Sequence, residues 1–347
     1  MASDQTTNVQ LQCMQQGGPF QIVHVPKPAL APDEVLIRQR VIAFNLLDVK
    51  QRDWGINIPY WPRVLGVEGA GVIEAVGASV RNLQPGDEVA GRHGSGAEES
   101  VLWGGAFQEY VAVPTHFVFK KPKNISLKEA ASLPVGFVTA VCTIVGSLGI
   151  PLPFLPEVVP AEGRVPSSVL ILGGSSVTGA AIIQLLRRAY PSLPILATSS
   201  VKHNARLTDL GATQLFDYKS SAVVADIKAA SPGAAGIDVI IDCVSAGASQ
   251  TDICDVLDLA ASKRYAAVLT GVPVTVPEGV EHIVASAYNI LHMKGGKELT
   301  PSLTKLVEEG TYKVPLPVRV VGHGLEELPR VLDEVKNVSG EKVVLTL

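Results

Sequence analysis

The stretch Val169-Leu170-Ile171-Leu172-Gly173-Gly174-Ser175-Ser176-Val177-Thr178-Gly179 decides the fold of this chain. Its apolar residues predict a buried strand, its small residues predict a tight turn, and residues 180–188 continue with helical patterning. This order is typical of a nucleotide-binding βαβ unit, in which a pyrophosphate contacts backbone N–H groups at a helix N-terminus. The spacing is G-x-x-S-x-x-G rather than G-x-G-x-x-G, so a tight turn in another α/β fold remains an alternative.

Strand and helix patterns alternate from this turn onward. Strands are expected at 169–173, 194–198, 237–242 and 265–270, and helices at 180–190, 202–210 and 250–262. Such alternation predicts a parallel, doubly wound sheet. Residues 9–115 instead carry short strand patterns separated by Gly and Pro, which predict a β-rich domain. An amphipathic helix at 325–335 and a last strand at 342–345 are expected to fold back onto it.

The chain is long enough, at 347 residues, for two domains that each bury a core. We expect one domain from residues 1–125 together with 280–347, and a second domain from residues 126–279. Ser126 and Glu129 have the spacing of a capping box that opens a helix. The proline-rich segment 151–168 is expected to be an ordered surface loop.

Composition excludes several classes of protein. A net charge of −4 without a basic cluster argues against a nucleic-acid partner. The four cysteines show no CxxC pairing, which argues against a disulfide framework or a structural zinc lobe. The first residues lack the pattern of a secretory signal, and no apolar run has the length of a membrane span. We therefore expect a soluble, cytoplasmic protein without a membrane partner.

The end of the second expected strand indicates which dinucleotide is bound. A site for NAD normally has an acidic residue about 20 positions after the glycine-rich turn, where it holds the ribose 2′-OH. Here Ser199, Ser200 and Lys202 occupy this region. Hydroxyl groups and a cation suit a 2′-phosphate, so NADPH is favoured over NADH. A helix cap at Ser200 beside an exposed lysine is the alternative, and Tyr218 is either a further phosphate contact or a surface tyrosine.

Several motifs together resemble the medium-chain dehydrogenase/reductase superfamily over nearly the whole chain. The motifs lie at residues 45–50, 66–73, 85–89, 105–110 and 173–179. The resemblance implies a GroES-like β-rich catalytic domain and a Rossmann cofactor domain with a doubly wound parallel sheet. The insertion at 151–168, the Gly-Gly-Ser-Ser turn and the ending Ser339-Gly340-Glu341-Lys342 are similar to the fungal zinc-independent branch, which includes trans-acting enoyl reductases.

The resemblance also bears on metal binding. The zinc enzymes of this superfamily have a cysteine in the segment that corresponds to Asn45–Asp48, and a histidine where this chain has Val67. Valine has no lone pair for a metal, so we expect no catalytic zinc. His93 is expected in a loop, where a solvated position is favoured over one that overhangs the cleft.

The resemblance further implies roles for individual residues. Lys50 is the candidate catalytic residue, a hydrogen-bond donor to the substrate carbonyl near the nicotinamide. It is also an expected cofactor contact near the ribose, and a solvated lysine is the alternative. Asp48 is expected to contact the cofactor or to orient its loop, with a cap role as the alternative. The other expected cofactor contacts are Thr139, Gly173, Ser175, Ser176, Val177, Thr178, Gly179, Leu269, Gly271, Ser339 and Lys342. Tyr60, Phe137 and Tyr288 are expected either in the substrate pocket or in the core.

The expected reaction is NADPH-dependent reduction of an α,β-unsaturated carbonyl compound. Without a Lewis acid, reduction of an activated C=C bond needs less assistance than reduction of a ketone. The substrate would be a small-molecule or carrier-bound enone in fungal secondary metabolism, with a polyketide synthase as a candidate partner. A quinone, aldehyde or alcohol oxidoreductase and a non-catalytic NADPH-binding protein are the alternatives. Relatives in this superfamily pair through the edge strand of the cofactor domain, here near 266–277, so a homodimer fits the resemblance. Pro273 and Pro277 would interrupt that strand, so a monomer fits the sequence as well.

Overall fold

The computed structural model describes residues 7–94, 104–160, 163–258, 260 and 263–347. The chain divides into two compact units. The terminal unit comprises Met1–Val135 and Lys297–Leu347, and the central unit comprises Gly136–Gly296. The boundaries expected from the sequence were after residues 125 and 279. The second of these lies before a strand at 281–285, and that strand pairs in the sheet of the central unit.

Secondary-structure elements are numbered along the chain. The strands are β1 Thr7–Cys13, β2 Phe20–Pro26, β3 Glu34–Ala43, β4 Arg63–Val64, β5 Glu68–Val76, β6 Glu88–Arg92, β7 Tyr110–Pro114, β8 Val118–Lys120, β9 Val169–Leu172, β10 Ile195–Ser199, β11 Gln214–Asp217, β12 Val239–Asp242, β13 Arg264–Val268, β14 Glu281–Ala285, β15 Val318–His323 and β16 Lys342–Thr346. The α-helices are α1 Leu46–Trp54, α2 Leu127–Ala131, α3 Pro134–Val141, α4 Val177–Ala189, α5 Asn204–Asp209, α6 Val223–Ala230, α7 Gly296–Leu299, α8 Leu303–Glu308 and α9 Leu328–Val335.

The central unit is built on a six-stranded sheet in the order β11-β10-β9-β12-β13-β14. Every neighbouring pair is parallel. All four residues of β9 are buried, as an apolar strand in the middle of a parallel sheet must be. The doubly wound parallel sheet expected from the sequence is confirmed.

Two parts of the central unit differ from the sequence-based expectation. A 3-10 helix, Thr251–Val256, stands where an α-helix was expected at 250–262, of which residues 259, 261 and 262 lie outside the described residues. Its Thr, Asp, Ile, Cys and Val residues all have modest helix propensity, which favours a short, tight turn. The outermost strand is β14, so Pro273 and Pro277 lie before the edge strand rather than in it.

The proline-rich segment is also more buried than a surface loop. Leu152, Leu155 and Val158 are each less than 7% exposed and contribute to the core of the central unit. Residues 161 and 162 lie outside the described residues. Apolar residues between the prolines therefore anchor this segment.

The terminal unit contains two β-sheets. A seven-stranded sheet has the order β15-β16-β3-β5-β6-β8, with β7 paired to β3, and a three-stranded sheet has the order β2-β1-β4. The last strand, β16, pairs antiparallel with β3. Helix α9 buries Leu328, Val331 and Leu332 in the same apolar cluster as Phe44 and Phe107. The C-terminal segment thus completes a core that the N-terminal strands begin.

The expected capping box opens α2. The Ser126 N–H donates to Glu129 Oε2 at 2.8 Å, and the Glu129 N–H donates to Ser126 Oγ at 3.3 Å. No helix among the residues that the structure describes is long and apolar enough to cross a membrane.

Candidate cofactor and active site

The glycine-rich turn follows β9 directly in the central unit. Gly173 has a φ of +75°, a conformation that side chains disfavour. A Cβ on Gly173 would lie 2.4 Å from Val244 Cγ1, so this position has no room for a side chain. The N–H groups of Gly173 and Gly174 donate to the Oγ1 and O atoms of Thr198 at 3.1 and 2.9 Å. These bonds fix the turn to the end of β10.

Ser176 replaces the usual second glycine and is the N-cap residue of α4. Its Oγ accepts a hydrogen bond from the Gly179 N–H at 3.0 Å and donates to the Gly173 O at 2.8 Å. A Cβ on Gly179 would lie 2.4 Å from the Gly173 O, so the helix starts close against the turn. The first N–H groups of an α-helix have no acceptor inside it and attract anions. The turn and the thirteen-residue helix therefore fit a pyrophosphate.

The residues proposed for the 2′-phosphate lie at the carboxyl ends of two paired strands. Ser199 ends β10 and is in register with Asp217, the last residue of β11. Tyr218 follows at once and is half exposed. Ser200 precedes a 3-10 helix, Val201–His203, without a side-chain capping hydrogen bond, and Lys202 is exposed. The structure thus brings Ser199, Ser200, Lys202 and Tyr218 to one edge of the sheet. Their contact with a phosphate remains a prediction.

Asp242, at the end of β12, was not singled out from the sequence. Its buried carboxylate accepts hydrogen bonds from the N–H groups of Val244, Ala246 and Gly247, each at 3.0 Å, and from the Tyr265 hydroxyl at 2.5 Å. These bonds hold the loop that places Val244 against the glycine-rich turn. The sequence does contain a signal for Asp242, because an acidic residue ends the otherwise apolar strand β12.

The next strand also ends at this edge of the sheet. Leu269 follows β13 and is 46% exposed, and Gly271 has a φ of +80°. Between them, the Thr270 hydroxyl contacts the hydroxyl of Ser245, which lies in the loop after β12. The loops after β9, β12 and β13 therefore meet at the carboxyl edge of the sheet, where open α/β sheets bind ligands.

Helix α3 packs on the start of α4. A Cβ on Gly136 would lie 2.7 Å from Val177 Cγ2, which shows how closely the two helices approach. Thr139, one turn further along α3, is 8% exposed, and its carbonyl oxygen accepts the Thr143 hydroxyl at 2.8 Å. Phe137 is fully buried. The cofactor role of Thr139 and the pocket role of Phe137 remain predictions.

A buried polar cluster lies in the terminal unit around Glu68. The Lys342 ammonium pairs with Glu68 Oε1 at 2.5 Å and donates to Asn45 Oδ1 at 2.7 Å. The Asn45 amide donates to Glu68 Oε1 at 3.0 Å, and the Val135 N–H donates to Glu68 Oε2 at 2.7 Å. Glu68 is fully buried and the Lys342 side chain is 5% exposed. Lys342, an expected cofactor contact, is thus the counter-ion of Glu68.

Asp48 lies in the first turn of α1 beside this cluster. Its Oδ2 accepts the Asn45 N–H at 2.7 Å, so it takes the helix-start role that the sequence left open. Complete burial raises the pKa of Asp48 to about 7, although the Asn45 N–H and the Lys342 charge lower it. Its contact with the cofactor remains a prediction.

Replacing Asp48 by asparagine should change how stability depends on pH. The folded pKa lies above the unfolded value of about 3.9, so between these values only the folded state holds the proton. Stability of the natural protein therefore falls as pH rises toward neutrality. The free energy of unfolding of Asp48→Asn relative to the natural protein should rise by about 1.4 kcal/mol per pH unit over that range. Urea unfolding at several pH values measures this difference, and parallel curves would contradict the buried, protonated carboxyl.

Lys50 lies on α1, two residues after Asp48. Partial burial lowers the pKa of its ammonium group, and Lys50 Nζ lies 5.5 Å from the centre of the Trp54 ring. A partly desolvated ammonium makes stronger hydrogen bonds than one in water. Ser339 is exposed and lies three residues before Lys342. The catalytic role of Lys50 and the cofactor role of Ser339 remain predictions.

The remaining expected residues occupy different surroundings. Tyr60 is 55% exposed and its ring lies 5.2 Å from the Arg63 guanidinium, whereas Tyr288 is half-buried in a 3-10 helix, Ala287–His292. The solvated position expected for His93 is wrong. His93 follows β6, is fully buried, and its Nδ1 contacts Gln39 Nε2 at 2.9 Å. Burial lowers the pKa of His93 to about 3, so its imidazole is neutral.

The donor set around Glu68 does not resemble a metal centre. Val67 offers no side-chain ligand, and the Glu68 carboxylate already accepts an ammonium, an amide and a backbone N–H. Within the described residues, no three His, Cys, Asp or Glu side chains are grouped so that they could hold a metal ion.

Comparison with known proteins agrees with this architecture. The profile of the alcohol dehydrogenase GroES-like domain matches residues 31–123. The trans-enoyl reductase caaB of Aspergillus niger is 32% identical over 355 residues, which cover 94% of this chain and 94% of the relative. The trans-enoyl reductase tndF of Aspergillus flavipes is 30% identical over 344 residues, which cover 96% and 97%.

A solved structure supports the same fold. The crystal structure of CurK enoyl reductase superposes with a TM-score of 0.77 at 21% identity, over 98% of this chain and 99% of that one. This likeness shows the fold, and the two sequence relatives identify the family. The chain belongs to the medium-chain dehydrogenase/reductase superfamily of nicotinamide-dependent oxidoreductases, among its fungal enoyl-reductase-like members.

Proposed function

We propose that this protein is an NADPH-dependent, zinc-independent reductase of α,β-unsaturated carbonyl compounds. The observation that carries the proposal is the polar cluster around Glu68. Lys342, Asn45 and the Val135 N–H use the carboxylate that would otherwise be available to a metal. This donor set supports a reaction that proceeds without a bound Lewis acid, and reduction of an activated C=C bond needs less polarisation than ketone reduction.

The choice of NADPH rests on the edge of the central sheet. Ser199, Ser200 and Lys202 stand where a carboxylate would bind the ribose 2′-OH of NAD, and Tyr218 lies at the end of the adjacent strand. The Ser200 hydroxyl makes no capping hydrogen bond to the 3-10 helix that follows. Helix capping therefore does not use the hydroxyl that we assign to the 2′-phosphate. Lys202 adds the positive charge that a 2′-phosphate requires.

Lys50 is the residue that we propose to assist the reaction. When bound, the reduced nicotinamide supplies a hydride to the substrate. The Lys50 ammonium would donate a hydrogen bond to the carbonyl oxygen, which gains negative charge as the β-carbon is reduced. Partial burial of Lys50 favours this role, since a charge acts more strongly where water is restricted.

The relatives favour an enone as the substrate, and we propose a role in fungal secondary metabolism. Two of them are named trans-enoyl reductases. We accordingly propose a small-molecule or carrier-bound enone as the substrate and a polyketide synthase as a partner, with the protein acting in the cytoplasm as a monomer or homodimer.

A substrate panel tests the proposal. Consumption of NADPH, followed by its absorbance, is measured with an enone, a quinone and an aldehyde. We expect turnover with the enone and little with the other two. Turnover with the quinone or the aldehyde alone would favour those reductase activities. Tight NADPH binding without any turnover would favour a non-catalytic protein.

Replacing Lys202 by alanine should weaken NADPH binding by about tenfold and leave NADH binding nearly unchanged, because only NADPH carries the 2′-phosphate. Titration of cofactor fluorescence measures both affinities. Lys228→Ala, an exposed lysine on α6, is the matched control. Equal losses for the two cofactors would remove Lys202 from the phosphate site.

A further inference from the structure

Arg63 carries a buried positive charge in the terminal unit. The residue is 6% exposed, and its Nε and Nη2 atoms are buried without a hydrogen-bond partner. Its guanidinium makes no ion pair with any acidic side chain in the part of the chain that the structure describes. Arg63 thus differs from two other buried cations of the unit: Lys342 is paired with Glu68, and Arg52 is paired with Asp53 and Asp333.

An unpaired buried guanidinium requires an explanation. Arginine stays protonated inside proteins, so it cannot lose its charge to relieve the cost of burial. Buried charges in folded proteins are therefore paired or bound to a ligand. The described residues supply no acidic partner for Arg63, and a bound anion would be a suitable counter-ion.

The position of Arg63 limits what can reach it. The residue opens β4, which pairs with the end of β1 at Cys13. Cys13 and the next residue, Val64, belong to the apolar core of the unit. Surroundings of this kind screen charge weakly, so an anion that enters is held more strongly than at the surface.

The unpartnered atoms also define the shape of the ligand. Nε and Nη2 lie on one edge of the planar guanidinium, where their two N–H groups point in parallel. This edge matches the two oxygens of a carboxylate, which arginine binds in a bidentate fork. The Tyr60 ring lies 5.2 Å from the guanidinium carbon and is 55% exposed, so an exposed aromatic side chain adjoins the buried charge.

We propose that the Nε–Nη2 edge of Arg63 binds a carboxylate group carried by the substrate, next to Tyr60. The assignment of this ligand as the substrate rests on the proposed function, whereas anion binding at Arg63 does not. A phosphate group could meet the same edge. A carboxylate fits better, because the edge offers one charge and two coplanar donors to a monoanion with two coplanar oxygens.

Binding is tested first, without turnover. The unfolding midpoint of the natural protein is measured in acetate, benzoate, inorganic phosphate and chloride at equal ionic strength. We expect stabilisation by the two carboxylates over chloride, and its loss in Arg63→Met and in Arg63→Lys, which keeps the charge but not the fork. Greater stabilisation by phosphate would assign the site to a phosphate group. Equal midpoints in all four anions would overturn the proposal.

The stability of Arg63→Met in chloride is a second readout. Methionine retains most of the apolar stem and removes the unpaired charge, so this variant should be at least as stable as the natural protein. A loss of stability would show that the guanidinium is already paired in the folded protein, which would overturn the proposal.

Kinetics then test whether the ligand is the substrate. The ratio of kcat/KM for β-acetylacrylate to that for its methyl ester compares the same enone with and without a carboxylate. We expect a preference for the acid of about tenfold or more, lost in Arg63→Lys. Equal ratios in both proteins would overturn the substrate assignment. Anion stabilisation without turnover of either compound would contradict the proposed reaction while leaving the binding site intact.

Discussion

Replacing Lys50 by methionine should lower kcat for enone reduction by about a hundredfold to a thousandfold, the effect of removing one donor that stabilises a developing oxyanion. Methionine has a similar length and no charge, so the start of α1 should be retained. Affinity for NADPH should change much less than kcat, because the lost hydrogen bond forms to the substrate as its carbonyl oxygen gains charge. Steady-state kinetics with the enone and fluorescence titration of NADPH give the two quantities.

Two further variants sharpen this result. Lys50→Arg keeps the positive charge at a different donor position and should recover part of kcat. Lys305→Met replaces a lysine with a side chain that is 77% exposed on α8, and it should leave kcat unchanged. If Lys50→Met turns over the enone at the natural rate, Lys50 has no part in the reaction. If NADPH affinity falls as much as kcat, Lys50 binds the cofactor and does not assist the chemistry.

Replacing Lys342 by methionine should destabilise the protein by about 3–5 kcal/mol, the range measured when one partner of a buried ion pair is removed. The reason is the carboxylate that stays behind. Glu68 is fully buried, and without Lys342 its remaining partners are the Asn45 amide and the Val135 N–H, which carry no net charge. Urea unfolding at neutral pH measures the loss.

A double-mutant cycle separates the ion pair from simple packing. Glu68→Gln combined with Lys342→Met removes both charges, and we expect the double variant to be more stable than Lys342→Met alone. Additive losses would mean that the two side chains contribute independently. NADPH affinity of the double variant, relative to the natural protein, also tests whether Lys342 contacts the cofactor in addition to its role beside Glu68.

Much of the fold was predictable because it depends on short-range patterns. The apolar run of β9, the small residues of the turn and the spacing in α9 all reflect neighbouring residues in the chain. The capping box at Ser126 has the same local origin. Strand β14 was missed, since its outer position in the sheet leaves it without an apolar pattern.

The candidate site was predictable only where backbone geometry is encoded locally. Gly173 and Gly179 are required by the close approach of the turn and α4, and the sequence shows them directly. Asp242 was missed, because its role depends on the loop after β12 and on a tyrosine from the next strand. The solvated position expected for His93 was wrong, since no neighbouring residue in the sequence indicates that the end of β6 is buried.

The sequence by itself determined that the chain has a doubly wound cofactor unit, a glycine-rich turn fit for a pyrophosphate, and no acidic residue where NAD would need one. Residue type and spacing carry that information. Only the tertiary structure decided which charges meet. Lys342 reaches Asn45, 297 positions away, because β16 pairs with β3, and the same packing joins it to Glu68. Burial cannot be read from the type of a single residue. It raises the pKa of Asp48, and the fold leaves the buried Arg63 without a counter-ion among the described residues.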